Sequence, residues 1–557
     1  MRTHKRIALG LLGLIAGGLA VAEIARAVES RRSVRDPLVA SVRIDREIDK
    51  KLAEGKVPAS VIADDAEFLR RLSLDLLGRV PSYEKTIAFL GDASPDKRRK
   101  LIDEFLDEPE FGQHFATIWY HRVVKPTTEN RFLISKSLQD WLAERFNRNE
   151  GWDAVVREIL TADGDRDKNP ATVFFLNHVD NKRFAPPRAA ATASHLFLGV
   201  KLECCECHDH PFDSELKQTD FWGVAAFFNS TRFENAGKKD AGEPAVRETT
   251  TPARPNKKDK EERATVAPFG SIVIPDSKGK TVKATFLHAK QPAKVSGTKL
   301  RPAFAEWVVS PTNPYFAKAT VNKLWANFFG RGIVNPVDDM TANSTNTHPE
   351  LLKALADEFV ASGFDTKHFV RCVCNSKAYQ RTSVPTAESK ADEELYSHMK
   401  LKVMTADMLY DSLGTVLGHS IADRGRPGAM MKKADPKIAA KFAAKNDPRE
   451  QFRDFFHAEA DDDAGVIDEY THGIPQVLRL MNAKGVNDTS AIAAKAAKAG
   501  SRDKAIDELY LRALSRHATT AEKERAAKYV AESKTPTAAY GDLLWALLNS
   551  AEFLFVH

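Results

Sequence analysis

Leu69-Arg-Arg-Leu-Ser-Leu-Asp-Leu-Leu-Gly-Arg-Val-Pro-Ser, residues 69–82, leads into a helical stretch that ends at Glu110-Phe111. The same idea returns near the C-terminus. There Leu509-Tyr-Leu-Arg-Ala-Leu-Ser-Arg-His-Ala-Thr-Thr, residues 509–520, leads to Glu552-Phe553, and Thr519 and Glu522 have capping-box spacing. The two stretches read as copies of one helical-hairpin idea. Two copies so far apart cannot stack a continuous core, so a solenoid is not expected.

Working outward, residues 43–165 read as successive amphipathic helices. Leu101, Ile102, Phe105 and Leu106 fall at helical spacing, with Ser94 as N-cap and Pro95 at the first helical position. Trp141, Leu142 and Phe146 continue the pattern. Residues 184–200 are Ala-rich and helical, and 216–228 form a helix packed by Phe221, Trp222 and Phe227. Then composition changes. From Glu234 to Thr265 there are no aromatics, and Val246 is the only large aliphatic. Such a segment buries too little apolar surface to offset its ordering entropy, and reads as a flexible charged linker. Ser271-Ile-Val-Ile-Pro and Thr281-Val-Lys-Ala-Thr-Phe are short β-type runs around a turn at 276–280, which predicts a small hairpin. Helices return at 301–309, 314–329, 349–362, 365–376, 403–417, 474–482, 502–516, 520–533 and 537–550. Residues 420–450 read as a partly mobile insertion.

The fold class is therefore mainly α: two multi-helix domains joined by a flexible charged linker and a small β-hairpin element. The expected limits are a helical domain at 40–233, a disordered linker at 234–266, and a second domain at 267–557, whose β element occupies 267–290.

The 557 residues carry 82 basic and 76 acidic side chains, a net charge of +6. No stretch combines a dense basic stripe with interleaved aromatics, so a nucleic-acid partner is not expected. A hydrophobic content of 43% and five cysteines exclude a disordered chain and a disulfide-built scaffold. Arg2, Lys5 and Arg6 precede an apolar run from Ile7 to Ala22, followed by the small-x-small sites Ala20-Val-Ala22 and Ala25-Arg-Ala27. That order is a secretory signal. The run is short of the roughly 20 residues of a comfortable bilayer span. Residues 1–27 are thus expected to direct export to the periplasm, cell envelope or outside, with an uncleaved N-terminal anchor as the competing reading and the sole membrane contact.

The one dense chemical constellation is Cys204-Cys-Glu-Cys-His-Asp-His210. Cys204, Cys207 and His208 have the spacing of c-type haem attachment. Two thiols add to the two vinyl groups, and the next histidine becomes the proximal iron ligand. The same residues could instead form a structural thiol cluster, or hold zinc or another metal at Cys204, Cys207, His208 and His210. Haem would leave Cys205, Cys372 and Cys374. A disulfide from Cys205 to Cys372 or Cys374 is expected on that count. Met340 and Met481 are the candidate distal ligands, each also readable as packing. An open sixth position would suit ligand binding or peroxide chemistry. His114 and His121, seven apart beside Trp119, are expected to pack.

Here the chain resembles a family. Leu196-Phe-Leu-Gly-Val-Lys-Leu-Glu-Cys-Cys-Glu-Cys-His-Asp-His-Pro-Phe-Asp looks like the signature of the planctomycete secreted cytochrome-like family DUF1549 (PSCyt2). Ile44-Asp-Arg-Glu-Ile-Asp and Leu69 to Pro81 match it too. Pro302-Ala-Phe-Ala-Glu-Trp, Asn313-Pro-Tyr-Phe, Val321 to Val334, Asp338-Asp339, His348-Pro-Glu-Leu-Leu, Gly473-Ile-Pro-Gln and Asp542 to Phe553 resemble its companion, DUF1553 (PSD1). The resemblance implies an exported protein with a cytochrome-like motif, and gives no activity. The family's pattern has other residues where Cys205, Cys372 and Cys374 stand, so the three extra thiols depart together. Many relatives carry a separate cytochrome c domain; no cysteine precedes Cys204 here.

Asn322, Trp325, Arg331, Asp338, Asp339 and His348 form a second candidate site, whose paired carboxylates and arginine could do acid–base or metal work but are read first as an ion-pair network that fixes a loop. No phosphate loop, dinucleotide fingerprint, Gly-x-Ser-x-Gly or His-Glu-x-x-His occurs. The leading expectation is an exported c-type haem protein in redox chemistry or electron transfer, with a redox partner or envelope protein still to be identified. The alternatives are a haem-free envelope binding or scaffold protein, or a polysaccharide-related enzyme.

Overall fold

The computed structural model describes residues 35–124, 136–180, 183–234, 244–250, 267–275, 277–294, 299–341, 344–418, 448–457, 478, 480–482 and 487–557. The expected signal segment 1–27, most of the expected 420–450 insertion and most of the expected 474–482 helix lie outside them. The described chain is mainly α-helical with a few short strands.

The repeated hairpin has a common geometry. The helix Asp65–Leu77 ends at Gly78 and the helix Arg502–Leu514 ends at Ser515, with φ of 69° and 61°. The next residue is an arginine in both, and three residues later comes a helix cap. Ser82 Oγ accepts from Lys85 N, and Thr519 Oγ1 accepts from Glu522 N within the expected capping box. Arg79 pairs with Glu110 at 2.8 Å, and Arg516 pairs with Glu552 at 2.6 Å. Phe111 and Phe553, one residue after each glutamate, are fully buried.

The first copy docks on the second through the buried Arg70, and the adjacent buried Arg71 ties it to residues 379–381 and His557. Arg70 Nη1 donates to Ala513 O at 2.9 Å, and Nη2 donates to Phe553 O at 2.8 Å. Arg71 donates to the carbonyls of Tyr379, Arg381 and His557 and pairs with Glu67 at 2.6 Å. Apolar spacing alone does not explain these two residues; they satisfy carbonyls at element ends that would otherwise be buried without donors.

The division between packing units differs from the expected one. One hydrophobic cluster runs from Ile44 to Met399, across the linker. A second holds Met404 to Val556, joined by Leu74 and Val80 of the first hairpin. The N-terminal helix Pro37–Gly55 buries Ile44, Ile48 and Leu52 and packs on Thr366–Cys374 and Pro349–Ala361. Trp152–Thr161 packs on Arg301–Val308 in the same way. The linker therefore joins two pieces of one core, and the break in packing falls near residue 400.

Part of the linker is itself ordered structure. Ala245–Glu248 is the central strand of an antiparallel sheet with Gly164–Asp165 and Thr231–Glu234. Val246 is buried opposite Phe233. Glu248 Oε1 accepts from Arg301 N at 2.9 Å, so a linker carboxylate caps the helix Arg301–Val308. Arg301 is buried, lies 4.4 Å from the Phe175 ring centroid, and donates to Ala162 O at 2.7 Å. Residues 235–243 and 251–266 lie outside the described chain. The predicted hairpin is present, with Ser271–Val273 antiparallel to Thr281–Lys283. Ser94 is not a helix cap. Its hydroxyl donates to Asp92, and the helix begins at Lys97. Leu101, Ile102, Phe105 and Leu106 form the buried face, as their spacing predicts.

Candidate functional site

The Cys-His motif follows directly from the first core. The helix Pro186–Ala193 widens into a π turn over Ser194–Leu198, and Gly199 ends it at φ 67°. A side chain at Gly199 would meet Ala319 and Met340 at 3.0 and 3.1 Å, so the chain passes close to the second region here. Leu196, Phe197, Leu198, Val200 and Leu202 are buried anchors. One 3-10 turn, Leu202–Cys205, then carries the chain to the surface.

Cys205 is the last anchor of that turn and is fully buried, while Cys204, Cys207 and His208 are exposed. Burial pushes the Cys205 thiol up to about 11. Burial also raises Cys204, with Glu203 and Asp339 adding to the effect. The helix Gln218–Ala226 holds the motif's backbone. Trp222 Nε1 donates to Glu206 O at 3.0 Å, and Gln218 Nε2 donates to Cys207 O at 2.8 Å.

The two histidines of the motif are arranged oppositely. His208 Nδ1 lies 2.6 Å from Asp209 O. A carbonyl only accepts, so Nδ1 carries the proton and Nε2 keeps its lone pair. His210 Nδ1 accepts from Phe212 N and Asp213 N at 3.2 and 2.9 Å, so its proton sits on Nε2. Only His208 presents a ligating nitrogen. Among the described residues, no three His, Cys, Asp or Glu side chains gather to hold a metal ion. The four-ligand metal arrangement of Cys204, Cys207, His208 and His210 is thus not preassembled. Two exposed thiols and an imidazole with a free Nε2 do fit the donor set of covalent haem attachment.

The loop that carries Asp338 lies against the motif. Asp338 Oδ1 pairs with Lys323 Nζ at 2.6 Å, and its Oδ2 lies 3.1 Å from His195 Nε2. Lys323 also donates to His195 O, and Met340 N donates to Gly199 O at 2.7 Å. Burial opposes the Asp338 charge, yet Lys323 and His195 hold this carboxyl well below the usual range. Burial lowers Lys323. Between the loop and the motif is an open cleft of about 490 Å³, lined by His210, Pro211, Phe212, Asp339 and Thr341. Phe212 is 78% exposed. The Oδ1 atom of Asp339 is buried and has no hydrogen-bond partner among the described residues.

The structure brings Met340 to the segment leading into the motif. Met481 is 38% exposed and follows Leu480 of the second cluster, away from it. All five cysteines are free thiols. The expected disulfide from Cys205 to Cys372 or Cys374 is not made: Cys205 lies under the His210 turn, whereas Cys372 faces His368 and Ser41 contacts its carbonyl. The second group of residues divides: Trp325 and His348 both pack on Tyr396, beside Arg331, while Asp338 and Asp339 turn towards the motif. Asn322 clamps Val334 and Val337, Trp325 stacks on Phe329, Arg331 pairs with Glu394, and His348 packs on Tyr396. Of that group, only Asp338 and Asp339 reach the motif. Lys323 and His195 were missed by the sequence reading; no spacing rule links them to Asp338, since they lie on three separate segments.

Residues 43–233 match the family model PSCyt2, described as a protein of unknown function (DUF1549). Residues 300–530 match PSD1, described as a protein of unknown function (DUF1553). No curated protein and no solved structure matches the chain.

Proposed function

From a chain that belongs to the PSCyt2 family over residues 43–233 and the PSD1 family over 300–530, we propose an exported protein that carries covalently attached haem at Cys204 and Cys207. The observation that carries this reading is the hydrogen bond from His208 Nδ1 to Asp209 O, which leaves Nε2 as a ligand beside two exposed thiols. A ligating imidazole anchored through its other nitrogen is oriented and made more basic. Haem bound there would supply electron transfer to a redox partner or, with an open sixth position, ligand chemistry. This chain's own contribution is to fix the motif backbone through Gln218 and Trp222, and to hold the facing loop through Lys323, Asp338 and His195. Export rests on the basic and apolar N-terminal segment; no described helix is long and apolar enough to cross a membrane.

A haem-free envelope-binding role is the second reading. Phe212, exposed at the mouth of an open cleft, is the kind of residue a partner would cover.

The test is a haem stain on a denaturing gel, after export from a host with the c-type attachment machinery. Stain that stays with the band and disappears in Cys204→Ala/Cys207→Ala supports attachment. His208→Ala should keep some stain and change the absorption spectrum. No stain from well-expressed protein in that host overturns the haem reading and leaves the second one.

A further inference from the structure

A second cleft, of about 650 Å³, lies where the two hydrophobic clusters meet. One wall is the first hairpin with the helices Pro109–Val123 and Ser137–Asn147; the other is the helix Ala406–Leu417 with Arg449. Its residues contribute nothing to the Cys-His motif.

The charges at the floor of this cleft are already committed to one another. Arg449 bridges Asp407 and Asp411, one helical turn apart, at 2.8 and 2.7 Å. Asp407 also pairs with His121 at 3.0 Å. Arg79 pairs with Glu110 at 2.8 Å. Lys136 and Asp140, of opposite sign, sit one turn apart on the exposed rim. An ionic ligand reaching the Arg449 or Arg79 charges would therefore have to break an existing pair. A hydroxyl would not, because it both donates and accepts, and can use lone pairs and N–H groups that the pairs leave over.

The other polar features of the lining point the same way. Gly78 is the residue that admits His114 to the wall; a Cβ there would lie 2.4 Å from His114 Nδ1. Burial pushes His114 down to about 4, so it faces the cleft as a neutral donor and acceptor. Burial, opposed by Arg449 and aided by Asp407, pushes Asp411 up to about 6, and Arg449 engages its Oδ2. Gln113 is exposed at the rim. Tyr410, Leu77 and Met408 add apolar surface to the lining, able to take C–H faces. The volume falls in the range of small-molecule sites, which gather at interfaces between packing units.

We propose that this cleft binds a neutral polyhydroxylated molecule of about disaccharide size. Asp411 and His114 hydrogen-bond its hydroxyls, and Gln113 closes the contact at the rim.

The test is saturation-transfer NMR on the full mature chain. The probes are maltose, cellobiose and xylobiose, with glucuronate, glucosamine and arginine as charged comparators. Saturation of a neutral disaccharide is expected, and should weaken at least tenfold in Asp411→Asn. Gln113→Trp, a change at an exposed position that fills the rim, should do the same with an unchanged urea midpoint. The proposal is overturned by transfer to the charged comparators alone, by no transfer to any neutral disaccharide, or by transfer that survives Gln113→Trp. None of these readouts involves the Cys-His motif, so the outcome is independent of the haem stain.

Discussion

Arg70 Nη2 donates to the carbonyl of Phe553 at 2.8 Å, and its guanidinium carbon lies 5.6 Å from the centroid of the same residue's ring. Residues 483 positions apart are thereby joined by a fully buried cation that also serves Ala513 O. Burial lowers Arg70 to about 10, so it remains charged at neutral pH. Replacing it by Met removes the donor from buried carbonyls. Arg70→Met is expected to lose about 2–4 kcal/mol. Urea unfolding followed by circular dichroism checks this, and a loss under about 1 kcal/mol would show that the arginine does not hold the two hairpins together.

Val246 tests the linker. In a solvated linker, Val246→Asp would be nearly neutral. As the buried centre of a three-stranded sheet it should cost about 2–4 kcal/mol, since an unpaired carboxylate would replace an apolar group. A urea midpoint unchanged from the parent chain would return the segment to a linker.

Stability should fall on the acid side. Burial pushes His114 and His348 down to about 4. In the unfolded chain they titrate near 6.5, so that state takes up protons first as pH falls. Their contribution is complete above about 6.5 and is lost as pH drops through about 4, at roughly 1–3 kcal/mol each. Asp411, raised to about 6, works in the opposite sense: its unfolded form loses its proton near 4, so its contribution falls as pH rises from about 4 through 6. Two histidines outweigh one carboxyl, and the urea midpoint should be lower at pH 4.5 than at pH 7. His348→Gln should flatten that dependence; an equally steep profile would remove His348 from the account.

Thiol exposure divides the five cysteines two to three. Cys204 and Cys207 are exposed, and Cys205, Cys372 and Cys374 are buried. In haem-free protein a thiol reagent should label the first two quickly and all five in denaturant. Three labelled thiols in denaturant would instead reveal a disulfide.

Asp338→Asn should leave Lys323 as a buried, poorly compensated cation beside His195. The expected loss is about 3–5 kcal/mol. The paired change Asp338→Asn/Lys323→Met should recover much of it. Failure to recover would place the aspartate's role outside this ion pair.

The sequence determined the helical class, the hairpin echo, the β-hairpin and the buried face of Leu101 to Leu106, because each depends on local periodicity and turn chemistry. It also marked Cys204, Cys207 and His208, by their spacing alone. The matching arginine–glutamate pairs, Arg79–Glu110 and Arg516–Glu552, were legible as an echo and not as contacts. What only the tertiary structure decided is which apolar faces share a core. Low hydrophobicity at 234–265 predicts a solvated linker, yet Val246 within it is buried, and a segment of that composition can join two parts of one core as readily as two domains. Likewise, only packing could assign Cys205 to the interior and its neighbours to solvent, give the two motif histidines opposite protons, and bring Lys323, Asp338 and His195 together. Burial and hydrogen-bond direction are properties of the assembled surroundings, which no single segment carries.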